Sequence, residues 1–263
     1  MQDGHRGTEE KDEVPEDTGE LLRVAVIGTG KMGRCLSTLL RDHAVVTLHS
    51  RDIKKARAIA RRIGVDGADI NAISGSDVIL ATIPTGALQR FVEESAGAMR
   101  PGAIFVDVSS VKVGLVEEVL KRLPKGTGYV SIHPLFTSPK VKEKDVAFIP
   151  VRETATVERF LETLSKSGMS IFRTTAEEHD RATAATQVLH HFALLAMEMV
   201  LQRHMKSSER FKTHSLRKTL AVIRLVERNR ETAVMIQKLN KFGKGVREEF
   251  IREAEALDRE FSN

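Results

Sequence analysis

From Leu21 to Arg173, short apolar runs alternate with longer stretches whose apolar residues recur at helical spacing. The runs Arg23–Ile27, Val45–His49, Val78–Ile83, Ile104–Asp107, Tyr129–His133, Val146–Pro150 and Ser170–Arg173 predict strands. Between them Met32–Arg41, Ile53–Ile63, Gly86–Ala98, Gly114–Leu123 and Thr156–Lys166 predict helices. Strands that alternate with helices over short connections predict an α/β fold with a doubly wound parallel sheet. After Arg173 the strand pattern stops and no proline follows Pro150. Helical periodicity then fills the chain through Glu177–Met205, Leu216–Glu227, Arg230–Phe242 and Val246–Phe261. The first of these is apolar around much of its circumference, which predicts burial on several sides and packing on another subunit. Residues 1–20 are polar and acidic, the composition of a disordered leader. The expected division is therefore a leader over 1–20, a dinucleotide-binding domain over 21–175 and a helical domain over 176–263.

The dinucleotide reading rests on the turn after the first strand. Val24–Ile27 is followed by Gly28-Thr29-Gly30-Lys31-Met32-Gly33 and then by a helix. Gly28 permits the tight turn, Gly30 lets backbone approach a pyrophosphate, and Gly33 lets the helix pack against the sheet. The N–H groups of the helix start then face the anion. A glycine-rich turn without a ligand is the plainer alternative.

Composition narrows the setting. The chain of 263 residues is 41% hydrophobic and 29% charged, which suits a soluble globular protein, and no uninterrupted apolar run approaches the roughly 18 to 20 residues of a membrane span. The start has no apolar signal segment. Cys35 is the single cysteine, so no intrachain disulfide forms and a reducing, cytoplasmic setting is expected. The net charge is +5, but Tyr129 is the single tyrosine and tryptophan is absent, so single-stranded nucleic acid would find few stacking platforms. The surplus of cations suits small polyanions equally well, and neither a nucleic-acid nor a membrane partner is expected.

In an open parallel sheet, ligands sit beyond the carboxyl ends of the strands. The second strand ends at Ser50-Arg51-Asp52. Arg51 can pair with a 2′-phosphate and Ser50 does not repel it, so NADP is favoured; Asp52 keeps NAD open. Ile83-Pro84 and Ser109 lie at the next strand ends and complete the expected cofactor contacts. His133 ends an apolar strand and precedes a proline, where a neutral imidazole can take an alcohol proton while hydride leaves the carbon. A satisfied core histidine is the alternative. Ser110 can hydrogen-bond the reacting oxygen or cap the following helix, and Lys112 stands on the same strand end. Arg217 and Arg224 are seven apart, hence on one helical face, which could clamp a dicarboxylate or be an exposed basic face. No metal site is expected.

The set Gly28–Gly33, Asp107-Val-Ser-Ser-Val-Lys112, Ile132-His-Pro-Leu-Phe136, Glu178-His-Asp180 and Gln187-x-x-x-His191-Phe192 resembles the prephenate and arogenate dehydrogenases of tyrosine biosynthesis. The resemblance runs from Arg23 to about Leu239. It implies a Rossmann-type domain followed by an all-helical dimerisation domain, and a homodimer. It also implies oxidative decarboxylation of prephenate to 4-hydroxyphenylpyruvate, with hydride passing to NADP or NAD. Carried over residue by residue, His133 would accept the hydroxyl proton and Ser110 would be its hydroxyl partner. His191, Arg224, Arg217 and Lys112 would bind substrate. Two departures stand out: Thr137-Ser138-Pro139 follows the His-Pro-x-Phe element where the family has Gly-Pro, and the segment Ser215–Arg224 is one residue shorter.

Arogenate dehydrogenase and a non-catalytic NADP-sensing regulator remain as alternatives. An imine or β-hydroxyacid reductase would need a lysine in a glycine-containing helix, and Glu177–Met205 contains neither residue.

Overall fold

The computed structural model describes residues 20–262, and the side chains of all of these except 205–209. The expected leader thus lies outside the described residues apart from Glu20. Eight strands form one sheet in the order β3-β2-β1-β4-β5-β6-β7-β8. They are β1 (Arg23–Ile27), β2 (Val45–Ser50), β3 (Asp66–Asp69), β4 (Val78–Ala81), β5 (Ile104–Asp107), β6 (Gly128–Pro134), β7 (Asp145–Arg152) and β8 (Ser170–Arg173). The helices between them are α1 (Lys31–Leu40), α2 (Ile53–Ile63), α3 (Thr85–Ser95), α4 (Leu115–Leu120) and α5 (Ala155–Lys166).

The inner strands β1, β4 and β5 are almost wholly apolar and buried because both faces are covered. In β1, Val24 and Val26 pack with Leu36 and Leu40 of α1 and Phe160 of α5 on one face. Ala25 and Ile27 pack with Leu88 and Val92 of α3 and Val119 of α4 on the other. β1 sits centrally, with Val24 level with Val46 of β2 and Val78 of β4. The carboxyl ends of β1, β4, β5 and β6 therefore open onto one crevice.

The sheet departs from an all-parallel one at β7, which pairs antiparallel with β6, His133 opposite Ala147. Only residues 135–144 join the two strands. Without a crossover helix the chain has too little length to return for a parallel pairing. β8 then runs parallel to β7. β3 is a strand that periodicity could not predict. Its sequence, Asp-Gly-Ala-Asp, has no alternating apolar pattern. Backbone pairing to β2 holds it, and Gly67 lets α2 pass so close that a Cβ there would lie 2.7 Å from the Arg57 backbone.

From Ala176 the chain is helical: α6 (Ala176–Thr183), a π-helical turn (Ala184–Leu189), α7 (His190–Ser208), α8 (His214–Arg228), α9 (Arg230–Leu239) and α10 (Gly243–Phe261). The expectation that the long helix is buried on several sides fails in the single chain. Met197, Met199 and Val200 are 44%, 60% and 55% exposed. The segment Ala176–His204 also contains an 18-residue stretch apolar enough to cross a membrane by length and composition, with mean hydropathy 1.3 and 11% of that stretch buried. Its His179 and Asp180, however, are buried within the protein, and a membrane span would strand that carboxylate in lipid.

The turn between β1 and α1 has the least room. An alanine Cβ at Gly33 would lie 2.0 Å from the Gly28 carbonyl oxygen. Gly33→Ala is expected to destabilise the protein by about 1–3 kcal/mol, read as a lower urea midpoint. An unchanged midpoint would contradict this packing.

Candidate active site

A cleft of about 610 Å³ lies where the strand ends meet the helical tail. The sheet side contributes Gly30, Lys31, Met32, Ile83, Pro84, Ser109, Ser110 and His133. The helical side contributes Gln187, His190, His191, Val226, Asn229 and Glu231. A hollow of about 490 Å³ on α9 is lined by that helix alone and brings no second element to a ligand.

The cofactor side fits a dinucleotide. Gly28 has φ +114°, a conformation that side chains rarely adopt. At Gly30 a Cβ would meet nothing within 4 Å, so the backbone there offers open space at the cleft wall. Gly30 is also the N-cap of α1, makes no side-chain cap, and no acidic residue follows in the first turn. The exposed N–H groups of α1 are thus free for a phosphate. Beyond β2, the Asp52 side chain caps α2 by accepting from the Lys55 amide at 2.9 Å. Arg51 is exposed and makes no hydrogen bond or ion pair among the described residues. Gly28, Thr29, Gly33, Ser50 and Arg51 shape this end without lining the cleft itself.

His133 is 5% exposed at the end of β6. Its Nδ1 lies 2.9 Å from Nε2 of His179. Nδ1 of His179 lies 2.8 Å from Oδ1 of Asp180. The Asp180 carboxylate also accepts from the Lys112 amide at 3.0 Å and the Val113 amide at 2.9 Å. A carboxylate that accepts from two amides accepts from His179 as well, so His179 Nδ1 carries a proton. In the tautomer that donates Nδ1–H to Asp180, His179 presents Nε2 as an acceptor, and His133 donates from Nδ1. The lone pair of His133 is left on Nε2, the nitrogen that lies 3.4 Å from the Gln187 amide nitrogen at the cleft wall.

Local sequence explains these placements. Thr175 and Glu178 form a reciprocal capping box that starts α6, which sets His179 and Asp180 in its first turns. Asn240 donates to the Asp180 carbonyl at 2.8 Å and ties α6 to the end of α9. The π turn that follows brings Gln187, His190 and His191 together at the cleft. Among the described residues, His191 Nδ1 and Gln187 Oε1 are buried without partners. Burial and the neighbouring His190 lower the affinity of His191 for a proton.

The structure brings His133, Ser110 and His191 to the wall of one cleft. Ser110 makes no hydrogen bond to His133 among the described residues. Three expected substrate contacts are not in the cleft. Lys112 is fully buried beneath it. Its ammonium donates to Ser131 Oγ and the Ile132 carbonyl, each at 2.7 Å, and lies 3.4 Å from Asp107. All three protons are occupied, so Lys112 binds the sheet and not a substrate. Arg217 and Arg224 are exposed on α8 and outside the lining, although Val222, Leu225 and Val226 of the same helix are in it. Helical rotation turns the arginine face away from the cleft. Conversely, the sequence assigned no role to His179, Asp180 or Gln187; the signal was the Glu-His-Asp capping segment just after the last strand. Among the described residues no group of three His, Cys, Asp or Glu could hold a metal ion.

Residues 33–146 match the family model of the prephenate dehydrogenase nucleotide-binding domain, and 175–263 match that of the prephenate dehydrogenase dimerization domain. The "probable arogenate/prephenate dehydrogenase" of Methanocaldococcus jannaschii is 24% identical over 255 residues, covering 92% of this chain and 57% of that protein. The 4-amino-4-deoxyprephenate dehydrogenase of Streptomyces pristinaespiralis is 30% identical over 187 residues, covering 68% of this chain and 62% of that protein. The chain thus spans 57% and 62% of the length of these two relatives. The crystal structure of Aquifex aeolicus prephenate dehydrogenase with hydroxyphenyl propionate and NAD+ superposes with a TM-score of 0.76 over 91% of this chain and 90% of that one. At 16% identity that likeness shows the fold alone.

Burial first, then the Lys112 ammonium and His179, lower the pKa of His133 well below the usual histidine value of about 6.5. A lowered pKa keeps the imidazole neutral as pH falls. Turnover that needs a free Nε2 should therefore persist through pH 6.5 and fail only at lower pH. A kcat/KM profile checks this; an acid limb at or above 6.5 would contradict it.

Proposed function

The chain belongs to the prephenate dehydrogenase family, and from that premise we propose that it oxidatively decarboxylates prephenate to 4-hydroxyphenylpyruvate, with NADP preferred over NAD. The observation that carries this reading is the buried His133, held through Nδ1 by His179, in a cleft between a dinucleotide turn and a helical wall. His133 Nε2 would take the hydroxyl proton, and Ser110 would hold the reacting oxygen. His191, with its unpartnered Nδ1, would donate to a substrate oxygen. The bound nicotinamide would supply the hydride acceptor. Val226, Ile236 and Phe136 line the same cleft and would exclude water from the ring.

Preference for NADP is supported by two local facts. The Asp52 carboxylate is engaged as a helix cap, so it is less free for a ribose hydroxyl. Arg51 is exposed and unpaired beside it. The activity would run in a homodimer, since the apolar face of α7 is exposed in the single chain and lies in a matched dimerization domain. The two matched domains support the division at 175/176. We place the protein in the cytoplasm, on the strength of its single buried cysteine.

A second reading is favoured by Glu231, which carries the one carboxylate among the cleft-lining residues. A carboxylate suits the ammonium of arogenate better than the keto group of prephenate. The deciding assay follows reduced cofactor with each substrate in turn. Turnover of prephenate above arogenate supports the first reading, the reverse supports the second, and no reduced cofactor with either would overturn both.

Two substitutions test the roles. His133→Asn should lower kcat by about 10²–10⁴-fold and leave cofactor affinity nearly unchanged; comparable turnover would remove His133 from its role. Arg51→Ala should raise the KM for NADP by about tenfold or more and leave that for NAD nearly unchanged. Equal effects on both cofactors would contradict the 2′-phosphate contact.

A further inference from the structure

His133 is oriented by a second imidazole rather than by a carbonyl or a carboxylate. Orientation alone would not require a titratable ring. The two rings meet edge to face at 64°, with centroids 5.1 Å apart. His179 is 4% exposed and Asp180 fully buried, so water does not compete for this chain of bonds. The charges around the two rings also differ. The Lys112 ammonium is bonded to the carbonyl of Ile132, the residue before His133. His179 instead abuts the Asp180 carboxylate. A positive charge is thus repelled at His133 and attracted at His179.

Resting on the reading above, we propose that His179 and Asp180 form a proton relay behind His133, and that His179 carries the added positive charge between hydride loss and aromatisation of the ring. In the first step the O–H bond breaks and its proton goes to His133 Nε2. The proton on His133 Nδ1 passes in concert to His179 Nε2. A hydride, carrying two electrons, leaves the carbinol carbon for the oxidised nicotinamide, and that carbon becomes a ring carbonyl. His133 stays neutral with its tautomer reversed, and His179 becomes an imidazolium paired with Asp180. In the second step the bond to the ring carboxylate breaks and carbon dioxide leaves. The electron pair of that bond enters the ring, which becomes aromatic, and the carbonyl oxygen becomes a phenolate. The phenolate takes the proton back from Nε2, and the Nδ1 proton returns from His179. No proton is released overall, so a reversible holding place suffices and no path to solvent is needed. The lowered proton affinity of His133 agrees with this division of labour. His179 never touches substrate in this scheme; it is a positioning residue that also carries charge.

The test uses the full chain with NADP and whichever ring acid it turns over. In mixtures of light and heavy water, two protons moving together give a bowed dependence of kcat on deuterium fraction. His179→Gln keeps an acceptor for His133 Nδ1 but cannot carry a proton. It should lower kcat by about a hundredfold, straighten the deuterium dependence, and leave KM and the cofactor dissociation constant nearly unchanged. A straight dependence in the unaltered protein would overturn the relay, and so would a His179→Gln variant whose kcat stays within about threefold. If that variant does not fold, the measurement on the unaltered protein decides. A chain that turns over neither ring acid overturns the functional reading and the relay with it.

Discussion

The Asp180 carboxylate is the joint on which the site depends. It sits at the start of the helical tail, yet it is held by the Lys112 and Val113 amides of the loop after β5. Those bonds span 68 and 67 residues of sequence. They leave the carboxylate able to accept from His179, which fixes His133 at the end of β6. One buried charge therefore docks the helices on the sheet and sets which nitrogen of the base is free. Buried carboxylates are costly unless they are paired and fully hydrogen-bonded, and this one accepts from two amides and an imidazole.

Lys112 works from the opposite side of the same loop. Its backbone amide holds Asp180 while its ammonium holds Ser131 and Ile132 on β6. Asp107 lies between this ammonium and the Tyr129 hydroxyl, which donates to it at 2.9 Å. Burial and Asp107 together push the Tyr129 phenol up, so it stays a donor. The strand ends are thus tied by polar bonds under the cleft, where apolar packing alone would leave register and depth unspecified. The proposed chemistry asks for this arrangement: a neutral base, apolar residues along the wall, and an anion-binding turn on the far side.

Much of this was legible from the sequence. The strand–Gly-x-Gly-x-x-Gly–helix order located the cofactor turn, since each glycine answers a steric demand visible in one dimension. His133 and Ser110 were found because strand ends in such a sheet converge on one crevice. What failed depended on distance or rotation. His179 and Asp180 reach their partners across 46 to 68 residues, and no periodicity reports that. Spacing put Arg217 and Arg224 on one face of α8 but could not say that this face points outward. Lys112 was read as a substrate ligand from its place at a strand end and from the family resemblance; three bonds beneath the cleft hold its ammonium instead. β3 escaped because its residues pair through backbone, and a strand without alternation leaves no pattern to read.

The central claim is that Asp180, acting through His179, leaves the lone pair of His133 on Nε2. Nitrogen-15 spectra of the histidine-labelled protein at neutral pH measure this directly. The account predicts that His133 shows a protonated Nδ1 coupled across a hydrogen bond to His179 and an unprotonated Nε2. A His133 signal with the proton on Nε2, or with both nitrogens protonated, would contradict it.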